Sequence, residues 1–371
     1  MSPLVWAEID LGALAHNVGE ARRLAPGAHV CAVVKANAYG HGAAEVARAA
    51  LEAGAGWLAV ARPGEGAALR AAGITEAPIL VLGCTPPEET GAIFGHRLTP
   101  SVHHLEGARS LSEAAAARKK RLAVHVKVDT GMGRLGFPWD GGAQILQAAR
   151  LPGLVIEGIY THLASADAAD KAFARNQLER FARCCRELER EGLFIPFKHA
   201  ANSAAVIDLP ESHFDLVRPG IMLYGALPSE EVSKDRLRLR PVMSFKACVV
   251  QVKKVPAGFP VGYGSTYVTP RPTVIATVAA GYADGYSRLL SNRGEVLIRG
   301  RRARVVGRVS MDSITVDAGE FPDLQPGEEV LLFGRQGGAE LPVEEVARKT
   351  GTISYEVFTG ITSRVPRLYI P

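Results

Sequence analysis

The chain has 371 residues, 47% apolar and 22% charged, the composition of a globular protein long enough for two domains or for a large barrel with an addition. Its formal charge of +5 is dispersed, and the one dense basic run, "RGRRARVVGR" at 299–308, reads as a solvated strand face, so no nucleic-acid partner is expected. No basic-then-apolar leader and no apolar span near ~20 residues is seen, so a cytoplasmic protein without a membrane partner is expected, and the five cysteines, odd in number and without CxxC spacing, are expected to be core thiols and not a disulfide framework or a metal site.

From residue 5 to about 225, short β-branched runs alternate with Ala-rich helical stretches. The predicted strands are "HVCAVVKA", "GWLAVAR", "PILVLG", "RLTPSV", "LAVHVKVD", "LVIEGIYTHL", "FIPFKHA" and "FDLVRPGIMLYG". Helices are predicted at "AAEVARAALEAG" and "ADKAFARNQLERFARCCRELEREG"; in the second, Phe173, Leu178, Phe181 and Leu188 recur at the spacing of one apolar face. Strands alternating with helices in this way predict an α/β fold, a (β/α)8 barrel of the TIM type. A doubly wound open sheet is the competitor, but no GxGxxG follows the first strand.

The pattern changes after the charged connection "LPSEEVSKDRLRLRP" at 227–241. Beyond it lie "VMSFKACVVQVKKV", "TVIATVAAGYA", "GEVLIRG", "ARVVGRVS", "SITVDAG" and "EEVLLFG", punctuated by turn residues, and a last helix is predicted near "PVEEVARKTG". The expected organisation is therefore a barrel over residues 1–230 and a C-terminal mostly-β domain over 231–371.

The run "CAVVKANAYGHG" ends on Lys35, a residue type seldom buried unless paired. Lys35 is either a surface residue at a strand end or a group held in a pocket for chemistry. In a barrel of this kind the active site lies at the C-terminal ends of the strands. Those ends carry Asp129 and Arg134 in "KVDTGMGRLGF", His162 and Asp167 in "YTHLASAD", His199, Asn202 and Ser203 in "KHAANSAA", and Arg218, Gly220 and Ile221 in "VRPGIMLYG". Polar groups at several ends of one barrel favour the pocket.

The strings "AVVKANAYGHG", "VDTGMGRLG", "THLASAD", "HAANSAA", "DLVRPGIMLYG", "VGYGSTY", "GYADGYSR", "GRVSMD" and "SYE…RVPR" together resemble those of the alanine racemases, in that family's order and over almost the whole chain. The resemblance implies pyridoxal 5'-phosphate as cofactor, with Lys35 as the amine that condenses with its aldehyde and then acts as a base on one face of the substrate Cα. It further implies that Tyr39, Ser203 and the amides of Gly220 and Ile221 hold the phosphate, with Asn202 supporting them and Tyr355 and Tyr282 holding the phosphate and narrowing the approach. Arg218 would face the pyridine nitrogen. An always-charged guanidinium cannot take up a proton there, so the ring stays a weak electron sink and removal and return of one proton is favoured. The bland alternative is an ion pair of Arg218 with Asp215.

Racemisation needs a second base on the opposite face. "PVGYGSTYVTP" offers Tyr263 and Tyr267, and the residues alone do not choose between them; the resemblance selects Tyr263. It implies a chain from Arg218 through His162 to Tyr263, although His162 also suits stacking on the ring or a structural role. Arg134 and the backbone of Met311, beside Asp312, would hold the substrate carboxylate. Lys127 matches a lysine often carbamylated in the family, and a plain Lys127–Asp129 pair stays open beside that reading. Ser310 stands where relatives often carry cysteine. A homodimer with shared active sites and a role in supplying D-alanine for peptidoglycan are implied as well. The alternatives are a broad-specificity amino-acid racemase of the same fold, a decarboxylase, against which Arg218 counts, and a non-catalytic coenzyme carrier, against which the second domain counts.

Overall fold

The computed structural model describes residues 3–371. A first strand, β1 (Val5–Asp10), precedes the parallel sheet of β2 (His29–Val33), β3 (Trp57–Val60), β4 (Ile79–Val81), β5 (Thr99–Val102), β6 (Leu122–Asp129), the two-residue β7 (Phe137–Pro138), β8 (Leu154–Tyr160), β9 (Phe197–His199) and β10 (Leu216–Val217). The order is β10-β2-β3-β4-β5-β6-β8-β9, with β7 pairing off β6. Backbone bonds from Asp215 N to Lys198 O (3.0 Å) and from Arg218 N to Ala201 O (2.9 Å) link β10 to the chain at β9 and close the barrel. Every residue of β3 and β4 is buried, as expected of parallel strands covered on both faces.

The helix Ala172–Arg190 buries Ala174, Gln177, Leu178, Phe181, Cys184, Cys185 and Leu188. Phe173, expected on that face, is exposed and lies over Gly131 instead. The column it would have shared goes to Gln177, whose amide bonds Ala164 N (2.9 Å), Thr130 Oγ1 (3.3 Å) and His162 O (3.2 Å). The cysteines are all free thiols, but only Cys31, Cys184 and Cys185 are buried; Cys84 is exposed, because it sits on the loop after β4 and not in the strand.

The second sheet contains β11 (Met243–Val255), β14 (Thr273–Val278), β15 (Glu295–Ile298), β16 (Arg301–Val305), β17 (Ile314–Asp317), β18 (Glu329–Gln336), β19 (Ala339–Leu341) and β20 (Arg367–Ile370); β12 (Pro260–Val261) and β13 (Tyr267–Val268) form a separate small hairpin. Its order is β19-β18-β15-β16-β17-β14-β11-β1-β20, and an added β18–β11 pairing closes an antiparallel barrel. In β16 the arginines Arg301, Arg302 and Arg304 are exposed while Ala303 and Val305 are buried. Arg302 pairs with Glu345 (2.7 Å) and Glu295 (2.9 Å), and Arg301 with Glu320. The basic run is a strand face laced with ion pairs.

β1 pairs antiparallel with β11 and parallel with β20. It therefore belongs to the second sheet, although it opens the chain. The reason is visible in its alternation: Ala7 and Ile9 are buried while Trp6 and Glu8 are not, the signature of a half-buried strand. The chain up to Ala13, Tyr39–Gly42 and Pro241–Pro371 form one compact unit, and Leu14–Ala38 with Ala43–Arg240 form the other. The connection through Arg240 groups with the barrel because three side chains bind it. Arg23 Nη2 donates to Arg236 O (2.7 Å), Glu20 Oε2 accepts from Arg238 N (3.0 Å), and Asn17, fully buried, donates to Leu223 O (3.1 Å) and Arg240 O (2.8 Å) and accepts from Arg240 N (2.9 Å).

Asn17→Ala leaves those backbone groups without partners and should cost about 1–3 kcal/mol. Urea denaturation should show a lower midpoint with an unchanged slope; an unchanged midpoint would mean that water replaces the amide.

Candidate active site

β2 ends at Val33, and Val34 leads to Lys35, the first residue of a turn of unusual hand. Ala36, Asn37, Ala38 and Tyr39 have φ of 52°, 55°, 53° and 53°, a single left-handed helical turn built without glycine. Each such residue costs roughly 1–2 kcal/mol, so the turn must be held from outside itself. Ala36 N donates to Glu65 Oε1 (2.6 Å), Asn37 Oδ1 accepts from Ala43 N (2.9 Å), and Ala38 N returns to Val34 O (2.8 Å). Glu65 is itself fixed by Ala61 N (2.7 Å) and Arg62 N (3.1 Å). The turn leaves Lys35 Nζ with no hydrogen bond or ion pair among the described residues. Burial and then the nearby Arg134 cation lower its pKa, against an opposing pull from Glu65. Both effects shift the balance toward the free amine.

Arg218 is buried at the end of β10. Its Nη1 donates to His199 Nδ1 (2.7 Å), and its Nη2 donates to Thr161 O (2.8 Å) and Ala200 O (3.1 Å). Nε has no protein partner among the described residues. Its pKa is pushed down to about 10 by burial, which leaves it a cation at neutral pH. Asp215 does not pair with it; that carboxylate accepts from Lys198 N at 2.8 Å. His162 makes no side-chain hydrogen bond, to Arg218 or to any other described residue. Burial first, then Arg218, Lys127, Arg134 and Lys35, hold the His162 imidazole well below its usual range, so it is neutral.

Lys127 is buried on β6, with Nζ donating to Val128 O (2.9 Å) and lying 5.5 Å from the centre of the Tyr160 ring. Burial and the Arg218 cation bring its pKa down to about 7. Asp129 does not pair with it. Asp129 Oδ1 accepts from the amides of Gly131 (2.9 Å), Met132 (2.8 Å) and Gly133 (3.2 Å), and Oδ2 from Arg134 N (3.2 Å), so this carboxylate shapes the loop that carries Arg134. The Arg134 side chain is exposed. Ser203 Oγ accepts from Gly220 N (2.8 Å), joining the start of the short helix Ser203–Asp208 to the turn Ile221–Tyr224. Asn202 caps that helix through Ala205 N (3.1 Å). The barrel thus brings Lys35, Lys127, Arg134 and Arg218 near enough to His162 for each to act on its charge, and ties Ser203 to Gly220 and, through Met222 N (3.4 Å), to the turn that Ile221 begins.

The other unit holds the remaining residues. Tyr39 is buried with its ring 5.9 Å from that of Tyr355. Tyr263 occupies a turn between Gly262 and Gly264, both at positive φ (71° and 69°), and is 70% exposed. Tyr267 instead packs against Val255, Val261, Ile275 and Val306 and donates to Asp317 Oδ2 (3.4 Å). Of the two tyrosines left open by the sequence, only Tyr263 has its ring free in solvent. Tyr282 N donates to Ser310 O (3.1 Å) and Ala283 N to Met311 O (3.0 Å), so Tyr282 and Met311 stand on adjoining turns with both side chains exposed. Gly281 permits that approach, since a Cβ there would lie 2.2 Å from Met311 O. Asp312 pairs with Arg364 (2.8 Å), which also pairs with Asp284 (2.8 Å). Glu65, Thr161 and His199 were not assigned roles from the sequence. Of these, only His199 carried a signal, as a polar residue at a strand end.

Comparison with known proteins gives one consistent result. Residues 9–228 match the alanine racemase N-terminal domain family and residues 242–369 the C-terminal domain family. The alanine racemase of Carboxydothermus hydrogenoformans is 50% identical over 366 residues, covering 99% of each chain. The solved alanine racemase of Clostridium difficile superposes with a TM-score of 0.94 at 40% identity, over 100% of this chain and 96% of that one. That of Bacillus anthracis with bound L-Ala-P gives 0.92 at 37% identity, over 100% and 96%.

The depressed Lys127 pKa predicts a pH-dependent cost. Below about 7 the amine is charged in both folded and unfolded chains and the burial penalty is complete. Between about 7 and the ordinary lysine value, only the unfolded chain holds the proton, and stability rises with pH. In bicarbonate-free buffer, Lys127→Met should therefore exceed the parent in stability most below pH 7, with the gap closing as pH rises, as read by urea denaturation.

Proposed function

The chain belongs to the alanine racemase family and is an enzyme interconverting L- and D-alanine; we propose that it works with pyridoxal 5'-phosphate and two opposed bases, Lys35 and Tyr263. The observation that carries this reading is the condition of Lys35 and Arg218, an unpaired amine biased toward its neutral form beside a cluster anchored by a buried guanidinium. The donor set fits the coenzyme. A free amine suits its aldehyde, Arg218 Nε–H suits the lone pair of its ring nitrogen, and the Ser203 hydroxyl with the amides of Ile221 and of Gly220, the latter here donating to Ser203 Oγ, suits a phosphate dianion. Tyr39 and Tyr355 would complete the phosphate site. When bound, the coenzyme supplies the aldehyde that holds the amino group and a ring that draws electron density from Cα.

Lys35 would take and return the α-proton on one face. Tyr263 would do so on the other, its hydroxyl brought to the barrel of a second copy. The support for that homodimer is the exposure of Tyr263, Met311 and Tyr282 on the single chain, large side chains that a partner would cover. Arg134 would bind the substrate carboxylate with the backbone of Met311, Asp312 standing beside it. Neutral His162 would sit against the coenzyme ring without competing for a proton. The Lys127 amine, its pKa brought down to about 7, would attack carbon dioxide as the free base and lose a proton to solvent; the resulting carbamate would give Arg134 an anionic partner in a site otherwise crowded with cations. No helix among the described residues is long and apolar enough to cross a membrane. We place the enzyme in the cytoplasm, with D-alanine for peptidoglycan as its product.

Lys35→Ala should lose racemisation and the coenzyme's visible absorbance band together. Tyr263→Phe should slow solvent-deuterium exchange at Cα of L-alanine by about 10²-fold or more and that of D-alanine far less. Equal losses from the two enantiomers would remove the assignment of one base to each face.

A further inference from the structure

Behind Arg218 a file of polar side chains, His199, His125 and Glu157, crosses the apolar interior of the barrel and takes part in no step described above. Arg218 Nη1 lies 2.7 Å from His199 Nδ1, His199 Nε2 lies 2.9 Å from His125 Nδ1, and His125 Nε2 lies 3.5 Å from Glu157 Oε2. A guanidinium has only donors, so His199 Nδ1 must accept. Its proton is then on Nε2 and is donated to His125 Nδ1, which leaves the second His125 proton on Nε2, a buried atom with no hydrogen-bond partner of its own and with Glu157 Oε2 as the carboxylate 3.5 Å away. One obligate donor sets both tautomers, and the file runs in a single direction from cation to carboxylate.

The backbone makes room for this arrangement. β6 and β8 shift register between Val124 and His125, and the residue paired with His125 is Gly158, where a Cβ would lie 2.5 Å from the imidazole. Both histidines are fully buried. The His125 ring lies 5.4 Å from that of Trp57 and 6.5 Å from that of Phe197, and His199 stacks on Tyr160 at 4.7 Å. Apolar rings would fill these places without the cost of burying four ring nitrogens, so packing does not account for the imidazoles. Arg218, meanwhile, has no carboxylate among its hydrogen-bond partners. The charged groups acting on the file are Arg218, Lys127 and Glu157, and Glu157 is the one anion.

We propose that Glu157, acting through His125 and His199, is the positioning counter-charge of Arg218, a file of 2.7, 2.9 and 3.5 Å steps that fixes the guanidinium's rotation so that Nε–H faces the coenzyme. The proposal rests on Arg218 meeting the coenzyme ring, as argued above. Its core, the direction of the file, is a property of the protein alone.

The test uses Glu157→Gln, which keeps an acceptor of the same shape and removes the charge, with Glu157→Asp as the conservative control. In 15N spectra of histidine-labelled wild-type enzyme, His125 and His199 should both be neutral with the proton on Nε2. Finding either as a cation or with the proton on Nδ1 overturns the proposal, whether or not the variants fold. In Glu157→Gln the two imidazole signals and the ring-nitrogen signal of 15N-labelled pyridoxal phosphate should shift. kcat should fall about tenfold, equivalent to about 1.4 kcal/mol in the barrier, at unchanged KM, with Glu157→Asp recovering most of it. Unmoved signals with unchanged kcat also overturn it. A wild-type enzyme that retains no pyridoxal phosphate would instead overturn the coenzyme reading, with the tautomer result still interpretable.

Discussion

A permanent cation held out of water without a carboxylate in contact is the constraint on which the barrel site depends. Arg218 meets this by giving its two terminal nitrogens to the carbonyls of Thr161 and Ala200 and to one imidazole. Each of these acceptors is a dipole and not a charge, so the positive field around it is only partly cancelled. Burial first, and then this field, disfavours the protonated forms of the neighbours: the His162 and His199 imidazoles are held well below their usual range, and the Lys127 pKa comes down to about 7. Lys35 shifts the same way under burial and Arg134. The site thereby biases its amines and imidazoles toward their uncharged forms beside arginines that cannot follow, which is the distribution a proton-transferring enzyme needs.

How much of this was legible in the sequence depended on the kind of signal. The barrel strands could be read because parallel strands buried on both faces are continuous apolar runs, and their polar ends stand out against them. The left-handed turn could not be read. Ala36, Asn37 and Ala38 carry no glycine to advertise it, and what holds it is Glu65, distant in the chain. The proximity of Lys127 and Asp129 suggested a pair, but in a strand residues two apart share a face only while the strand continues. Asp129 is its last residue and turns to cap the loop amides.

The second sheet shows the same limit from the other side. Tyr263 and Tyr267 are equivalent by composition, and only the packing of Tyr267 onto Val255, Val261, Ile275 and Val306 separates them. His125 is a similar case. A histidine inside an apolar strand reads as an ordinary core residue, and its meaning lies in the register that sets it opposite Gly158. Sequence patterns report faces and ends; they do not report which two strands meet where.

β1 has a consequence for how the protein is made. It is translated well ahead of its hydrogen-bonding neighbours, which begin at Met243 and Arg367. At synthesis rates of roughly 5–20 residues per second, Trp6 and Ile9 wait on the order of tens of seconds for a partner. Throughout that interval neither flanking strand exists to pair with its edges, so β1 takes its place in the sheet only after β11 has been made.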